Sequence, residues 1–401
     1  MGDISNYGQC SSCDVNTISD DAWVLELEDI EKNTAKVLQY FEKKDRVIKG
    51  VRHCFKQGDL LFSKLRTYLN KVFVAQKDGY CSTEIIPVSF FSNITPQYIC
   101  FVLKSNYFLQ YSALRGYGVK MPRIGTTDAL HTFIPLPPIN EQRKIISKVQ
   151  SCFLLADRID EEKKKLEIII KIFNTKTLSL AVDGHLVAQD PKDQPAIELL
   201  KKINPNFKPC DNSHYKKIPI NWELCYLQDV CNIERGVTFP ASAKSLSPDK
   251  NMIPCVRTAN VQDRLDLSNL WYIDKRYING NIDKLVEKDD IILSSANSRE
   301  LVGKTSYVYK DEGDITFGGF VLKIRSRGID SKYLFFFLRY TYLSNIFKDI
   351  ASQTTNIANI STHSLSNLVM AVPPLEEQKR ISQTVKRIFT PLEKCVFEIN
   401  N

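Results

Sequence analysis

Four parts of this chain carry residue types that could do chemistry, and none of them completes a site. Cys10-Ser11-Ser12-Cys13 has the spacing of one pair of metal ligands. A tetrahedral zinc needs a second pair, and Cys210 with His214 is a poor substitute for it. Arg299-Glu300-Leu301-Val302-Gly303-Lys304-Thr305 imitates the end of a phosphate-binding loop, but the first glycine that such a loop requires falls at Ser298. Asn204-Pro205-Asn206-Phe207 matches three of the four positions of the Asn-Pro-Pro-aromatic tetrapeptide that grips a target amine in amino-methyl transfer. Its third residue is wrong, and no Gly-rich turn after a strand offers a companion site for S-adenosylmethionine. The five histidines, His53, His131, His185, His214 and His363, fall into no triad or ligand spacing, and no Gly-x-Ser-x-Gly turn is present. The expectation is a chain with no catalytic residue, no metal and no cofactor.

What the sequence does carry is a repeat. Leu136-Pro137-Pro138-Ile139-Asn140-Glu141-Gln142-Arg143-Lys144-Ile145 returns as Val372-Pro373-Pro374-Leu375-Glu376-Glu377-Gln378-Lys379-Arg380-Ile381. Val24-Leu25-Glu26-Leu27-Glu28-Asp29-Ile30 aligns with Cys255-Val256-Arg257-Thr258-Ala259-Asn260-Val261, and Gln57-Gly58-Asp59-Leu60-Leu61-Phe62-Ser63 with Lys288-Asp289-Asp290-Ile291-Ile292-Leu293-Ser294. Ser82-Thr83-Glu84-Ile85-Ile86 then meets Gly318-Gly319-Phe320-Val321-Leu322. A period this long is not a solenoid; it means two copies of one module. Each copy alternates short β-like runs (59–62, 72–75 and 85–91; 291–293, 307–309 and 320–324) with turn residues, and holds a helix near 96–114 or 332–347. This is an α+β pattern.

Each proline pair stops the chain and starts a helix. After the first pair, Ile145, Cys152, Ile159, Leu166, Phe173 and Leu180 recur every seventh residue, with Val149, Ala156 and Ile170 between them. Such spacing is a coiled-coil seam. Ile381, Val385, Ile388, Leu392, Cys395 and Ile399 repeat it after the second pair, so the two helices are expected to pack antiparallel on each other. At about 1.5 Å per residue the first helix runs about 60 Å. The segment 182–217, with Asp183-Gly184, Pro191, Pro195, Pro205 and Pro209, reads as a linker holding one short helix at 196–203. The expected organisation is therefore 1–138, helix 139–181, linker 182–217, 218–374 and helix 375–401.

The bulk properties narrow the class. The chain has 401 residues, 43% of them hydrophobic and 25% charged, which suits globular domains. No apolar run approaches the roughly 18 residues of a membrane helix, and the acidic, polar N-terminus does not read as a signal peptide. Eleven scattered cysteines read as small hydrophobes of a reduced, cytoplasmic protein. A net charge of +8 permits contact with a polyanion without establishing it.

These halves resemble the specificity subunit of a Type I restriction–modification system. The resemblance is carried by Trp23-Val24-Leu25-Glu26-Leu27-Glu28-Asp29-Ile30, Gly58-Asp59-Leu60-Leu61-Phe62-Ser63 and Cys81-Ser82-Thr83-Glu84 in the first half. Ile220-Asn221-Trp222-Glu223 and Val256-Arg257-Thr258-Ala259-Asn260-Val261 carry it in the second, and the twice-occurring Pro-Pro-x-x-Glu-Gln-x-x-Ile is its most specific element. The resemblance implies an α+β fold of two α/β target-recognition domains related by pseudo-twofold symmetry, separated by two long antiparallel coiled-coil helices. It also implies double-stranded DNA as ligand, with each domain reading half of a split site. Two methyltransferase subunits would dock on the helices, and restriction subunits would join through the complex. In one departure, the first half has nothing matching the Trp222-Glu223-Leu224 opening, and the last helix stops early. A coiled-coil scaffold or RNA adaptor without sequence preference is the alternative reading.

Base edges in the major groove are read by Arg, Lys, Asn and Gln, whose paired donors and acceptors match purines, while phosphate contacts position the protein. In the first half these residue types gather at Lys64, Arg66 and Tyr68, and in the basic, glycine-containing loop with Arg115, Tyr117, Lys120 and Arg123. In the second they gather at Arg257 and Asn260, at Asn297, Arg299 and Lys304, and at Gln353, Thr354 and Asn356. The two late loops, 115–123 and 352–361, share almost no side chains, as two readers of different half-sites would require.

Overall fold

A computed structural model describes residues 1–91, 94–210, 218–354 and 357–400. The chain divides into two compact units, Met1–Glu161 and Glu162–Asn401. The boundary falls inside the long helix Ile139–Val182 rather than at its ends.

At the centre of the first unit lies an antiparallel sheet ordered Val72–Val74, Leu60–Ser63, Ile85–Val88. Every residue of its middle strand is buried. Successive strand side chains point to opposite faces, and here both faces are covered. Leu60 and Phe62 join Ile99 and Leu103 of the helix Pro96–Lys104. Leu61 joins Trp23, Leu25 and Phe55 on the other side. The second unit repeats this arrangement around Ile291–Ser294, with Ile291 and Leu293 facing the helix Ser331–Leu343 and Ile292 facing Val256 and Phe317. Its sheet is one strand wider, because Cys231–Arg235 adds to the edge where the first unit has a single bridge between Ser5 and Phe90.

The repeat extends to strand register. Trp23–Leu25 runs parallel to Gly79–Cys81, with Val24 opposite Tyr80 and Leu25 opposite Cys81. Met252–Val256 runs parallel to Thr316–Phe317, with Cys255 opposite Thr316 and Val256 opposite Phe317. In the second unit the strand expected at 307–309 lies instead at Thr305–Tyr307. Thr305 and Ser306 look like loop residues but are fully buried, and the Ser306 hydroxyl is satisfied by donating to the Gln262 carbonyl at 2.5 Å. Tyr309, which looks like core, is 56% exposed. The segment expected to be a linker is only partly one: Ala196, Leu200 and Phe207 are buried in the second unit's core.

Both helices begin at the expected places, Ile139 and Leu375, directly after the proline pairs. The glutamine of each signature makes the same two bonds. Gln142 accepts from the Thr95 amide at 3.0 Å and donates to the Pro137 carbonyl at 2.9 Å. Gln378 accepts from the Asp330 amide at 2.8 Å and donates to the Pro373 carbonyl at 2.8 Å. Thr95 and Asp330 precede the first residues of the core helices, so one buried amide ties the start of each long helix to the start of a core helix.

The heptad residues divide by environment. Ile145 packs against the first unit's core and Val149 is half-buried, while Ile381 and Val385 are fully buried in the second unit's core and Ile388 and Leu392 are half-buried. Cys152, Ile159, Leu166 and Phe173 are exposed, Ile159 by 59%. The ends of the heptad pattern are therefore domain core, and its middle is open apolar surface. An aspartate at Ile159 should leave the denaturation midpoint of the isolated chain within about 0.5 kcal/mol of the parent. At Val385 the same change buries an unpaired charge and should cost on the order of 4 kcal/mol or more. Replacing Gln378 by Ala strands a buried N–H and should cost about 1–3 kcal/mol, as should the same change at Gln142. Urea unfolding of the four variants checks all of these.

Candidate nucleic-acid interface

The exposed basic and amide side chains converge on one place in each unit. In the first, the strand Leu60–Ser63 leads into a loop whose Arg66 takes a left-handed backbone, φ 50°. The Arg66 amide donates to the Pro122 carbonyl at 2.7 Å, and its guanidinium donates to the Lys120 carbonyl at 3.3 Å. Leu65 bridges to Arg123, and Arg123 exchanges two backbone bonds of 2.9 Å with Tyr117. Loop 115–123 is thus pinned onto loop 64–70. Gly118 at φ 94° supplies a turn that a side chain would strain. Arg115, Tyr117, Lys120 and Tyr68 all project to solvent from this paired surface, while Lys64 and Arg66 are half-buried beneath.

The second unit builds the same element from different residues. Ala296–Asn297 pairs with Ala358–Asn359, which pairs with Ser352–Gln353. The bridge of Ala296 to Asn359 stands where Leu65 meets Arg123 in the first unit. Arg299 donates to the Gln353 amide oxygen at 2.9 Å, and Thr354 closes the hairpin on the Ile357 carbonyl at 3.0 Å. Arg299, Gln353 and Thr354 are exposed and Asn297 half-buried. Asn356 lies outside the described residues.

Asn260, Arg123 and Lys304, also expected as readers, are engaged within the protein as well. Asn260 is 2% exposed; its side chain accepts from the Arg257 amide at 3.0 Å and donates to the Asp266 and Asn269 carbonyls. It closes a turn. Arg123 is paired with Glu84, Nε lying 3.1 Å and Nη2 3.1 Å from its oxygens, and this partner raises the guanidinium pKa further. Lys304 bonds the Gln262 side chain. Arg257 lies 5.1 Å from the centre of the Trp271 ring, and Lys244 lies 4.0 Å from the same ring. Lys244 was not legible as a candidate, because it reaches Trp271 only through the long-range pairing of Ser245 with Tyr272.

The motifs that mimic catalytic sites have ordinary structural roles. Gly303 sits at φ 83° against Phe347, and the segment continues into the strand Thr305–Tyr307 where a phosphate-binding loop would open a helix. Asn204 accepts from the Asn206 amide at 3.1 Å in a tight turn that delivers Phe207 to the core. Burial pushes the thiols of Cys100 up to about 11 and of Cys231 and Cys255 up to about 12, so they pack as hydrophobes and do not ionise near neutrality. Among the described residues no three His, Cys, Asp or Glu side chains come together as metal ligands, and no helix is long and apolar enough to cross a membrane.

Two α+β units built to one plan, each carrying a long helix and a paired loop surface, define a class of repeated-domain proteins. The comparisons show what the chain is similar to. Residues 219–396 match the Type I restriction modification DNA specificity domain. The specificity subunit of the type I restriction enzyme EcoDI from Escherichia coli is 28% identical over 43% of this chain and 40% of its own length. That of EcoEI, from the same species, is 23% identical over 88% of this chain and 70% of its own length. The HsdS subunit from Thermoanaerobacter tengcongensis shares the fold, with a TM-score of 0.53 at 18% identity over 98% of this chain and 90% of its own. A chain from the work on assembly and conformational transition of the type I R-M system shares it at a TM-score of 0.67 and 19% identity, covering 100% of this chain and 91% of that one. The family match thus lies in the second half of the chain, and the chain spans 40% of the EcoDI subunit's own length.

Asn260→Ala is expected to cost about 0.5–2 kcal/mol, the range for losing a side-chain cap, while leaving any DNA sequence preference unchanged. Thermal unfolding together with a binding-site selection would separate those two outcomes.

Proposed function

We propose that this chain is the non-catalytic, sequence-reading subunit of a cytoplasmic Type I restriction–modification complex. It binds double-stranded DNA and guides the activities of two methyltransferase subunits and, through them, of restriction subunits. The observation that carries this reading is the twin loop surface. The same backbone element, placed at the end of the same strand, presents Tyr68, Arg115, Tyr117 and Lys120 in one unit and Arg299, Gln353 and Thr354 in the other. Equal scaffolds with unequal side chains suit the reading of two different half-sites. Residues 1–138 and 218–374 are the recognition domains in this reading. The exposed middle of the long helix, with Phe153, Leu154, Leu155, Ile168, Ile169 and Ile172, supplies apolar surface for the methyltransferases.

Within this scheme Arg123 acts indirectly, holding loop 115–123 through Glu84. Lys64, Arg66 and Asn297 flank the exposed readers, and Arg257 and Lys304 would meet phosphates. The test is methylome mapping of cells carrying the partner methyltransferase with variants of this subunit. Arg115→Ala or Tyr117→Ala should relax positions in one half-site only, and Arg299→Ala or Gln353→Ala positions in the other. Loss of a base contact should cost about 1–3 kcal/mol at its own position. Loss of a phosphate contact should weaken all sequences and lower the salt slope by about one. A variant in one unit that changed both half-sites together would overturn the two-reader scheme.

A further inference from the structure

Each central strand ends beside a tight turn that leads into the neighbouring strand, with Ser63 opposite Ile85 and Ser294 opposite Val321. In the first unit the turn is 82–85, closed by the Ile85 amide on the Ser82 carbonyl at 3.0 Å. In the second it is 318–321, closed by the Val321 amide on the Gly318 carbonyl at 2.8 Å. The chain leaving the central strand grips both turns at the same point. Lys64 donates its amide to the Glu84 carbonyl at 3.1 Å, and Ser295 donates its amide to the Phe320 carbonyl at 3.0 Å. Glu84 and Phe320 are one position of the repeat.

That position carries opposite side chains in the two units. The Glu84 carboxylate is held by Arg123 at 3.1 Å, which ties it into loop 115–123. The Phe320 ring stands 64% exposed.

The backbone beneath the ring is fixed. The Phe320 carbonyl also accepts from the Ser295 hydroxyl at 2.9 Å, and the Gly319 carbonyl accepts from Arg235 Nε at 3.0 Å. Gly318 donates its amide to the Val256 carbonyl at 2.9 Å. Gly236 comes so close that a side chain there would stand 2.3 Å from the Gly318 carbonyl oxygen. On the far side, the Ser295 carbonyl accepts from the Ile360 amide at 2.8 Å, and the next residue, Ala296, pairs with Asn359. Phe320 is therefore presented beside the hairpin that carries Gln353 and Thr354.

A phenyl ring can satisfy neither a phosphate nor the polar edge of a base. The major groove offers one apolar group, the C5-methyl of thymine, and packing on it removes both surfaces from water. Resting on the reading that this unit meets a half-site, we propose that Phe320 selects thymine at one position by packing on that methyl. The first unit, with Glu84 in the same place, makes no such selection.

The test uses the full chain in complex with its partner methyltransferase. Methylome mapping of the parent and of Gln353→Ala gives the target and marks the half-site read by the second unit. Duplexes of that target are then titrated by fluorescence anisotropy, each thymine of the half-site being replaced in turn by deoxyuridine, which removes only the methyl. One replacement should weaken binding by the parent about fourfold, the worth of one methyl-sized group. The same replacement should leave Phe320→Ala unaffected, and Phe320→Leu should keep part of the effect. In cells, Phe320→Ala should relax that position alone. Three results would overturn the proposal: a half-site without a deoxyuridine effect, the full effect persisting in Phe320→Ala, or Phe320→Ala weakening all duplexes alike. With sequence-specific methylation intact, these refute the thymine contact only. Absence of sequence-specific methylation by the parent complex refutes the underlying reading and this proposal with it. Because Phe320 is exposed at a turn, an unchanged melting temperature of its variants excludes misfolding as the cause of a loss.

Discussion

Each unit depends on a buried glutamine amide placed between two chain segments that end in prolines or begin helices. A helix start leaves N–H groups without partners, and a proline pair leaves carbonyls that no ladder collects. Gln142 and Gln378 satisfy one of each with a single side chain. The geometry fixes where the long helix leaves the domain relative to the helix that covers the central sheet. That sheet in turn fixes the strand whose end carries the paired loop surface. A shift at the amide would therefore be transmitted through packed, two-faced strands to the loops that meet solvent.

Much of this plan was legible because it depends on local rules. Each proline pair stops the chain and starts a helix, so Ile139 and Leu375 could be placed, and the apolar run Leu60-Leu61-Phe62 read as β-like; that both its faces are covered comes from the packing. The unread parts were decided by distant partners. Asn260 has the side chain of a base reader, but two carbonyls at 266 and 269 bury it. Arg123 sits in a basic loop, yet Glu84, brought in from another strand end, occupies it. The heptads were visible as a period; that their two ends would sink into domain cores, with Val385 fully buried and Ile159 open, depends on tertiary packing.

The second unit also shows what the Glu of the signature can be used for. Glu377 is 1% exposed, and burial raises its carboxyl above the ordinary range while Trp222 and Gln189 donate to it and limit that rise. A hydrogen bond to a charged group is worth about 1.5–3 kcal/mol, enough to hold the entry of the chain into the unit in one place. Gly184 permits the close approach: a side chain there would stand 2.5 Å from Pro219 and 3.2 Å from the Trp222 ring. The linker and the domain opening are thereby one packed feature.

The long helix has a consequence for the supply of the protein. Between Phe153 and Phe173 it presents at least eight large apolar side chains to water, each 37% exposed or more. Such a stripe favours self-association at high concentration, because a second copy hides it as well as any partner does. Copies whose stripe stays open are thus the ones exposed to precipitation and to cleavage along the helix. The amount of usable protein would then depend on how fast that surface is covered, and not only on how much is synthesised.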